Sequence, residues 1–335
     1  MIKIKENYSL SNLNSFGFNH KAEYFSEVRS VEDCKEYIDF CLKKNLPITI
    51  LGEGTNVVLT KNIPGAVLKV NIPGKVINGE VIEIGAGEEW NNVVLWSLEN
   101  KLFGLENLSL IPGTAGAAPV QNIGAYGQEL SSVLVSLEAI NTITNEIVHF
   151  DNKECLFGYR DSLFKKNGSL LICSIKLKLS EEPKTNTNYK SLFNYLLKDD
   201  VDPESATPYQ VCRAVTSIRT NILPDYKKEP NVGSFYKNLF LTKEEFKLLQ
   251  GEIPDIPFFK YSNKPIFKVP TAFILEKLGW KGFKDGRVCV SKKHSLVLIS
   301  KKGASSSELI NLSANIIDDV YSKVQIKLEI EPTIL

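Results

Sequence analysis

Between Asn107 and Gln128 the chain carries no charged side chain, and the Pro112–Gly127 part of that run (PGTAGAAPVQNIGAYG) holds four glycines and four alanines. Such a segment lets the main chain approach a neighbour closely, because glycine has no Cβ and reaches backbone conformations that other residues resist. Successive N–H groups in turn conformations form a nest for an anion such as a diphosphate, and a charge-free wall suits a large aromatic cofactor. A loop packed tightly beneath a sheet also needs small residues. It does not need the amide and hydroxyl donors of Gln121, Asn122 and Thr114, which favour ligand binding. Gly52-Glu53-Gly54-Thr55-Asn56, set between two short apolar runs, has the same character.

The chain has 335 residues, enough for about two domains of ~150 residues. Hydrophobic residues at 43% and charged residues at 24% exclude disorder and simple fibrous structure. With 40 Lys+Arg against 39 Asp+Glu, the net charge of +1 is too balanced for the positive field that drives nucleic-acid binding. No apolar run approaches the ~18 residues of a membrane span, and the N-terminus lacks a signal-like apolar region. The expectation is a cytoplasmic chain with neither a nucleic-acid nor a membrane partner. The six cysteines include no C-x-x-C pair and the three histidines are scattered, so no metal site is expected. Cys34 and Cys41 fall in step with Tyr37, Ile38 and Leu42, as buried thiols on a helix face would.

Ser30 and Asp33 open that helix, which fades at Asn45-Leu46-Pro47. Strands at Pro47–Leu51 and Val57–Leu59 flank the first glycine turn. Short strands dominate from Val76 to Val148, with Leu137–Ile143 and Ile147–Phe150 flanking a turn and one helix running from Glu88 to about Lys101. Gly85-Ala86-Gly87 imitates a dinucleotide fingerprint, but Trp90 stands where the third glycine belongs and would block close helix-to-strand packing. Leu170–Leu179 is a strand, followed by a polar excursion from Glu181 to Asn188. Thr207, Pro208 and Gln210 open a helix that ends by Leu223-Pro224. Thr242 and Glu245 open another that stops at Gly251, a proline-rich loop passes Pro254, Pro257 and Pro265, and Pro270-Thr271 opens a third that stops at Gly279. The last helix, about Ser306 to Lys323, precedes a strand at Ile326–Ile330. The expected division is 1–70, then 71–217 with 326–335 returning near it, then a smaller α+β module over 218–325.

Three residues outside the glycine-rich block stand out only weakly by themselves. Arg160, after Phe157-Gly158-Tyr159, reads most simply as a surface partner of Asp161. Ser234 in Gly233-Ser234-Phe235-Tyr236-Lys237-Asn238 reads as a turn serine, with no G-x-S-x-G elbow and no histidine relay. Glu331 closes the apolar stretch Leu328-Glu329-Ile330-Glu331-Pro332 as an exposed carboxylate would.

Taken in order, N-S-F-G (14–17), L-G-E-G-T-N (51–56), G-A-G-E-E-W (85–90), the long block 104–127, F-G-Y-R-D-S-L-F-K (157–165), G-S-F-Y-K-N (233–238) and L-E-I-E-P (328–332) resemble the UDP-N-acetylenolpyruvoylglucosamine reductases. These flavoenzymes, also called UDP-N-acetylmuramate dehydrogenases, serve bacterial peptidoglycan synthesis and through it cell-wall growth, cell shape and division. The resemblance implies an α+β FAD-binding fold of the vanillyl-alcohol-oxidase type, with two subdomains enclosing non-covalent FAD and a smaller substrate-binding domain. Asn188-Tyr189 in the polar excursion resembles the form of the family with an extra tyrosine loop.

What the resemblance implies for chemistry is specific. NADPH reduces FAD, and the enolpyruvyl ether of UDP-N-acetylglucosamine then enters the same cleft and accepts hydride. Arg160 and Glu331 are the expected stabilisers of the enolate, and Ser234 the expected proton donor. Cofactor contacts are expected from Gly52, Glu53, Gly54, Thr55, Asn56, Pro112, Gly113, Thr114, Gly116, Ala117, Gln121, Asn122, Gly124, Ala125 and Tyr126. Tyr159, Tyr189, Lys237 and Asn238 match substrate-contact positions, and a monomer is expected. Family members usually carry a lysine where this chain has Ile222, which leaves Lys237 or Lys227 to supply a cation for a substrate or NADPH phosphate. No histidine falls in the glycine-rich blocks, as a covalently tethered flavin oxidase often requires. A non-catalytic sensor of nucleotide sugars would not need Arg160, Ser234 and Glu331 together.

Overall fold

Apolar segments of two periods meet in the first part of the chain, and the computed structural model, which describes residues 2–261 and 265–335, shows what each becomes. The chain divides into two compact units. The first comprises Met1–Ser9, Lys21–Gly54 and Asn62–Arg219, and the second Leu10–His20, Thr55–Lys61 and Thr220–Leu335.

The first unit contains two sheets. One has the strand order Lys5–Ser9, Lys21–Val28, Ile63–Val70, Ile48–Leu51, parallel about Ile63–Val70 and antiparallel at the Lys5–Ser9 edge. The helix Val31–Lys43 belongs with it. Ser30 caps that helix by accepting from the Asp33 N–H, and the Asp33 carboxylate takes the Arg29 N–H in return. Its buried face is Cys34, Tyr37, Ile38 and Cys41. Leu42, expected on that stripe, points outward instead, one position beyond the contact arc.

The other sheet is antiparallel throughout, ordered Glu146–Asp151, Leu134–Asn141, Leu170–Lys178, Val81–Gly85, Lys75–Asn78. The Trp90–Glu99 helix buries Trp90, Val93, Val94 and Leu98, as its spacing predicts. The Trp90 indole N–H donates to the Leu108 carbonyl and so ties the helix to the start of the glycine-rich run. Cys34 from the first layer meets Ile140, Leu171 and Cys173 of the second sheet in one apolar cluster.

In the second unit, the Ser306–Val324 and Lys243–Glu252 helices open with capping boxes at Ser305/Glu308 and Thr242/Glu245. They cover two three-stranded sheets, Leu239–Leu241, Ile266–Val269, Phe259–Tyr261 and Lys284–Asp285, Val288–Val290, Leu298–Ser300. Part of the stretch expected as a proline-rich loop is therefore a strand pair, Phe259–Tyr261 on Ile266–Val269.

Leu10–His20 and Thr55–Lys61 precede this unit by more than a hundred residues yet count with it. Phe16, Phe18 and Val58 are buried in its core, a pairing that local spacing does not reveal. The final strand also differs from expectation. Ile326–Ile330 makes only an isolated bridge, Ile330 to Tyr236, and the last ladder lies further on, Thr333–Ile334 parallel to Val57–Val58. The 326–335 segment thus lies with the second unit.

Candidate active site

The glycine-rich block has two kinds of glycine. A Cβ added at Gly116 would come within 2.5 Å of the Ala86 Cβ, and one at Gly87 would collide with the Asn71 backbone at 2.3 Å. These positions let chain segments touch each other. At Gly52 an added Cβ would meet side chains, Thr114 Oγ1 at 3.1 Å and Ala117 Cβ at 3.5 Å, so two of the expected cofactor segments lie against each other. The N–H groups of Ala115, Gly116, Ala117 and Ala118 are committed to Glu88, Ala86, Thr114 and Thr114. Gly113 (φ +111°) and Thr114 are buried, and among the described residues neither amide has a protein acceptor. Two neighbouring main-chain donors with no protein acceptor fit a diphosphate group. Asn122 contributes differently from its polar appearance. Its buried side chain donates to Glu129 and the Gly158 carbonyl and accepts from the Ser131 N–H, so it ties the block to its neighbours and is not a free donor.

Arg160 sits in a tight turn closed by reciprocal hydrogen bonds between Gly158 and Asp161. Its φ of +53° is one of three left-handed values at expected non-glycine site residues, with Asn122 (+43°) and Tyr126 (+46°). Strain of this kind persists where the surroundings enforce it, and it clusters at functional sites. The Arg160 guanidinium donates 2.7 Å to the Gly124 carbonyl and lies over the Tyr159 ring. Asp161 pairs with Lys166, and Arg160 docks on the glycine-rich block through the Gly124 carbonyl.

Arg219 joins this group, although the sequence reading missed it. It lies within electrostatic reach of Tyr126 and Arg160, and its Nε donates to the Leu110 carbonyl. Burial draws its guanidinium below the usual arginine range; Tyr126 opposes that pull and Arg160 adds to it. Both guanidiniums stay charged, so the wall they share attracts an anion. A signal was present. Arg219 falls four residues after Val215 and eight after Val211, on the otherwise apolar stripe of the Pro208–Ile222 helix.

The polar excursion leads into a helix the sequence reading did not name, Lys190–Lys198, with Tyr189 at its N-cap position and Leu192 and Leu196 buried. The Tyr189 ring meets Tyr126 edge-on, centroids 5.6 Å apart. Burial is the main reason the Tyr126 phenol is pushed up to about 12; Arg219 pulls the other way.

In the second unit, main-chain pairing sets the place of the two expected catalytic residues. Ser234 bridges to Val297, the Phe235 N–H donates to Leu296, and the Glu331 N–H donates 2.9 Å to the Phe235 carbonyl. Ser234 and Glu331 are thereby placed on adjoining segments. Glu331 is buried at 8% exposure, not the open carboxylate its chain-end position suggests. Lys237 Nζ lies 3.0 Å from Glu329, and Asn238 Oδ1 accepts from the Thr271 N–H, while the Thr271 hydroxyl returns to the Lys237 carbonyl. Near Ile222, Lys293 Nζ lies 3.5 Å from the Thr220 carbonyl, a cation additional to the two expected candidates.

Over its whole length the chain is 39% identical to a UDP-N-acetylenolpyruvoylglucosamine reductase of Flavobacterium johnsoniae, covering 100% of both proteins. The chain belongs to the UDP-N-acetylenolpyruvoylglucosamine reductase family. A reductase of the same name from Pseudomonas aeruginosa is 35% identical over 99% of each chain. Residues 22–151 match a family model described as an FAD binding domain, and residues 225–335 match the C-terminal domain of UDP-N-acetylenolpyruvoylglucosamine reductase. The crystal structure of the reductase MurB from Thermus caldophilus superposes with a TM-score of 0.70, covering 100% of this chain and 98% of that one at 19% identity. The α+β FAD-binding fold with a separate C-terminal domain is therefore the fold of this reductase-family chain. Among the described residues no helix is long and apolar enough to cross a membrane, and no cluster of three or more His, Cys, Asp or Glu could hold a metal.

Proposed function

We propose that the chain reduces the enolpyruvyl ether of UDP-N-acetylglucosamine to UDP-N-acetylmuramate for peptidoglycan synthesis, with NADPH as reductant and non-covalent FAD, acting as a cytoplasmic monomer. The observation that carries this reading is the end-to-end similarity to reductases of that name. The cofactor would be held by Gly52, Glu53, Gly54, Thr55 and Asn56 and by the 112–126 segment, through main-chain donors such as Gly113 and Thr114. When bound, FAD would supply hydride transfer between NADPH and the vinyl carbon of the substrate.

Hydride addition at the vinyl CH2 leaves negative charge on the neighbouring carbon and its carboxylate. Arg160 stabilises that charge, since a guanidinium is permanently charged and forks onto a carboxylate. Its contact with Gly124 supports the role by fixing the head group against the glycine-rich block. Glu331 holds the same carboxylate through a shared proton, and Ser234 delivers the proton to carbon. An alcohol is a weak acid, so Ser234 depends on a neighbour such as Lys237 or on ordered water. Tyr159, Lys237 and Asn238 contact the substrate, and Tyr189 caps it. The test is Ser234→Ala: NADPH should still reduce the bound flavin, while formation of UDP-N-acetylmuramate stops. Full turnover by that variant would remove Ser234 from the mechanism.

A further inference from the structure

Asn107 is an uncharged side chain at the edge of the glycine-rich run, only 2% exposed. A buried amide must place its donors, and this one places both on carbonyls of separate segments. Asn107 Nδ2 donates 2.9 Å to Tyr126 and 2.7 Å to Asn186. Asn186 closes the link from its own side, donating from Nδ2 to the Gly127 carbonyl at 3.0 Å. Gly127 has φ +85°, and a Cβ there would sit 3.3 Å from that amide, so the two segments are in close contact.

Further along the excursion the attachments are of another kind. Thr185 and Thr187 donate to the Ala206 and Pro203 carbonyls. The Lys190–Lys198 helix buries Leu192 and Leu196 in a small core with Tyr126, Val211 and Val215. Apolar packing therefore holds the helix, while the paired amides fix residues 186–188 and the place from which Tyr189 projects.

We infer that Asn107, with Asn186, is a positioning residue that sets Tyr189 over the substrate. The inference rests on the proposed capping role of Tyr189. It assigns Asn107 to substrate affinity and not to the reduction of flavin by NADPH. Asn107→Leu keeps the branched shape with bulkier methyl ends and leaves one buried and one partly buried carbonyl without donors, a loss on the order of tenfold or more in a binding constant. Asn186→Ala removes only the more exposed half of the link and leaves the buried one in place.

The experiment measures KM and kcat for UDP-N-acetylglucosamine enolpyruvate, together with the single-turnover rate of flavin reduction at saturating NADPH. The variants are Asn107→Leu, Asn107→Gln, Asn186→Ala, Tyr189→Ala and the double variant Asn107→Leu/Tyr189→Ala. The expected result is a KM raised about tenfold in Asn107→Leu, less in Asn186→Ala and partly restored in Asn107→Gln, with flavin reduction unchanged. Because Asn107 acts through Tyr189, the double variant should be no worse than Tyr189→Ala alone. A parallel fall in flavin reduction or FAD content would overturn the inference, making Asn107 a support of the cofactor block. So would unchanged KM values in the Asn107 and Asn186 variants beside a raised one in Tyr189→Ala, which leaves the capping role standing. An unchanged KM in Tyr189→Ala removes the capping role, and the inference with it.

Discussion

Replacing Gly116 by alanine separates the two uses of glycine in the 112–127 block. The new Cβ would lie 2.5 Å from the Ala86 Cβ and 3.1 Å from the Ala86 Cα and carbonyl oxygen, where ordinary contacts begin at 3.4 Å. Both segments are fixed, since Gly116 N–H donates to Ala86 O and Ala86 N–H to Cys173 O on the antiparallel sheet. Something must move by nearly an ångström, and overpacking of this size costs about 1–3 kcal/mol. For a unit of this size that is a fall in Tm of about 3–10 °C. Thermal unfolding should be followed at fixed saturating FAD, because ligand concentration itself shifts Tm. Adding Ala86→Gly removes the colliding atom and should recover most of the loss, the remaining 3.1 Å contacts needing a shift of a few tenths of an ångström. FAD affinity, measured by flavin fluorescence, should change little in either variant. Weakened FAD binding with an unchanged Tm would show that Gly116 faces the cofactor and that the packing account is wrong.

Two further outcomes follow from charge. Arg160→Lys keeps the positive charge but loses the fork, and kcat should fall about 10²–10³-fold, as for loss of one oxyanion donor, while NADPH still reduces the flavin; a kcat within twofold of the parent would refute the enolate role. Glu106 is buried and accepts from the Gly104 N–H at 2.7 Å, and burial raises its carboxyl above the ordinary 4.5. The folded state therefore holds that proton more tightly than the unfolded chain, and Glu106 costs stability progressively as pH rises above about 4.5. Glu106→Gln, which keeps an acceptor for Gly104, should raise Tm at pH 8 and lose that advantage towards pH 4.5; an advantage that grows on acidification would contradict it.

The long uncharged block was legible because small residues and unionised donors in one run have few other uses. Composition could not say how tightly each glycine is packed, since Gly87 and Gly116 lie against Asn71 and Ala86 while Gly52 meets the Thr114 and Ala117 side chains less closely. Helices with side-chain caps, such as those after Ser30, Thr242 and Ser305, were read close to their true starts, because a cap is a local signal. The helix after Tyr189 has no side-chain cap, and the sequence reading passed over it. Nothing local announces that Val57–Val58 pairs with Thr333–Ile334, or that Phe16 joins a core built mostly after residue 230. Arg160, Ser234 and Glu331 are ordinary residues singly; the ordered motifs around them singled them out, and burial and main-chain pairing explain how Arg160 and Glu331 are held. Asn107 gives no sign in the sequence, because its importance lies in which carbonyls it reaches.

The most direct test is the visible spectrum of the purified, FAD-loaded protein under anaerobic conditions, recorded before NADPH, after NADPH, and after UDP-N-acetylglucosamine enolpyruvate. The account predicts a flavin band that bleaches with NADPH and returns when the enolpyruvyl compound is added, with UDP-N-acetylmuramate formed in step. A protein that binds no flavin, or whose reduced flavin stays bleached in the presence of that compound, would contradict it.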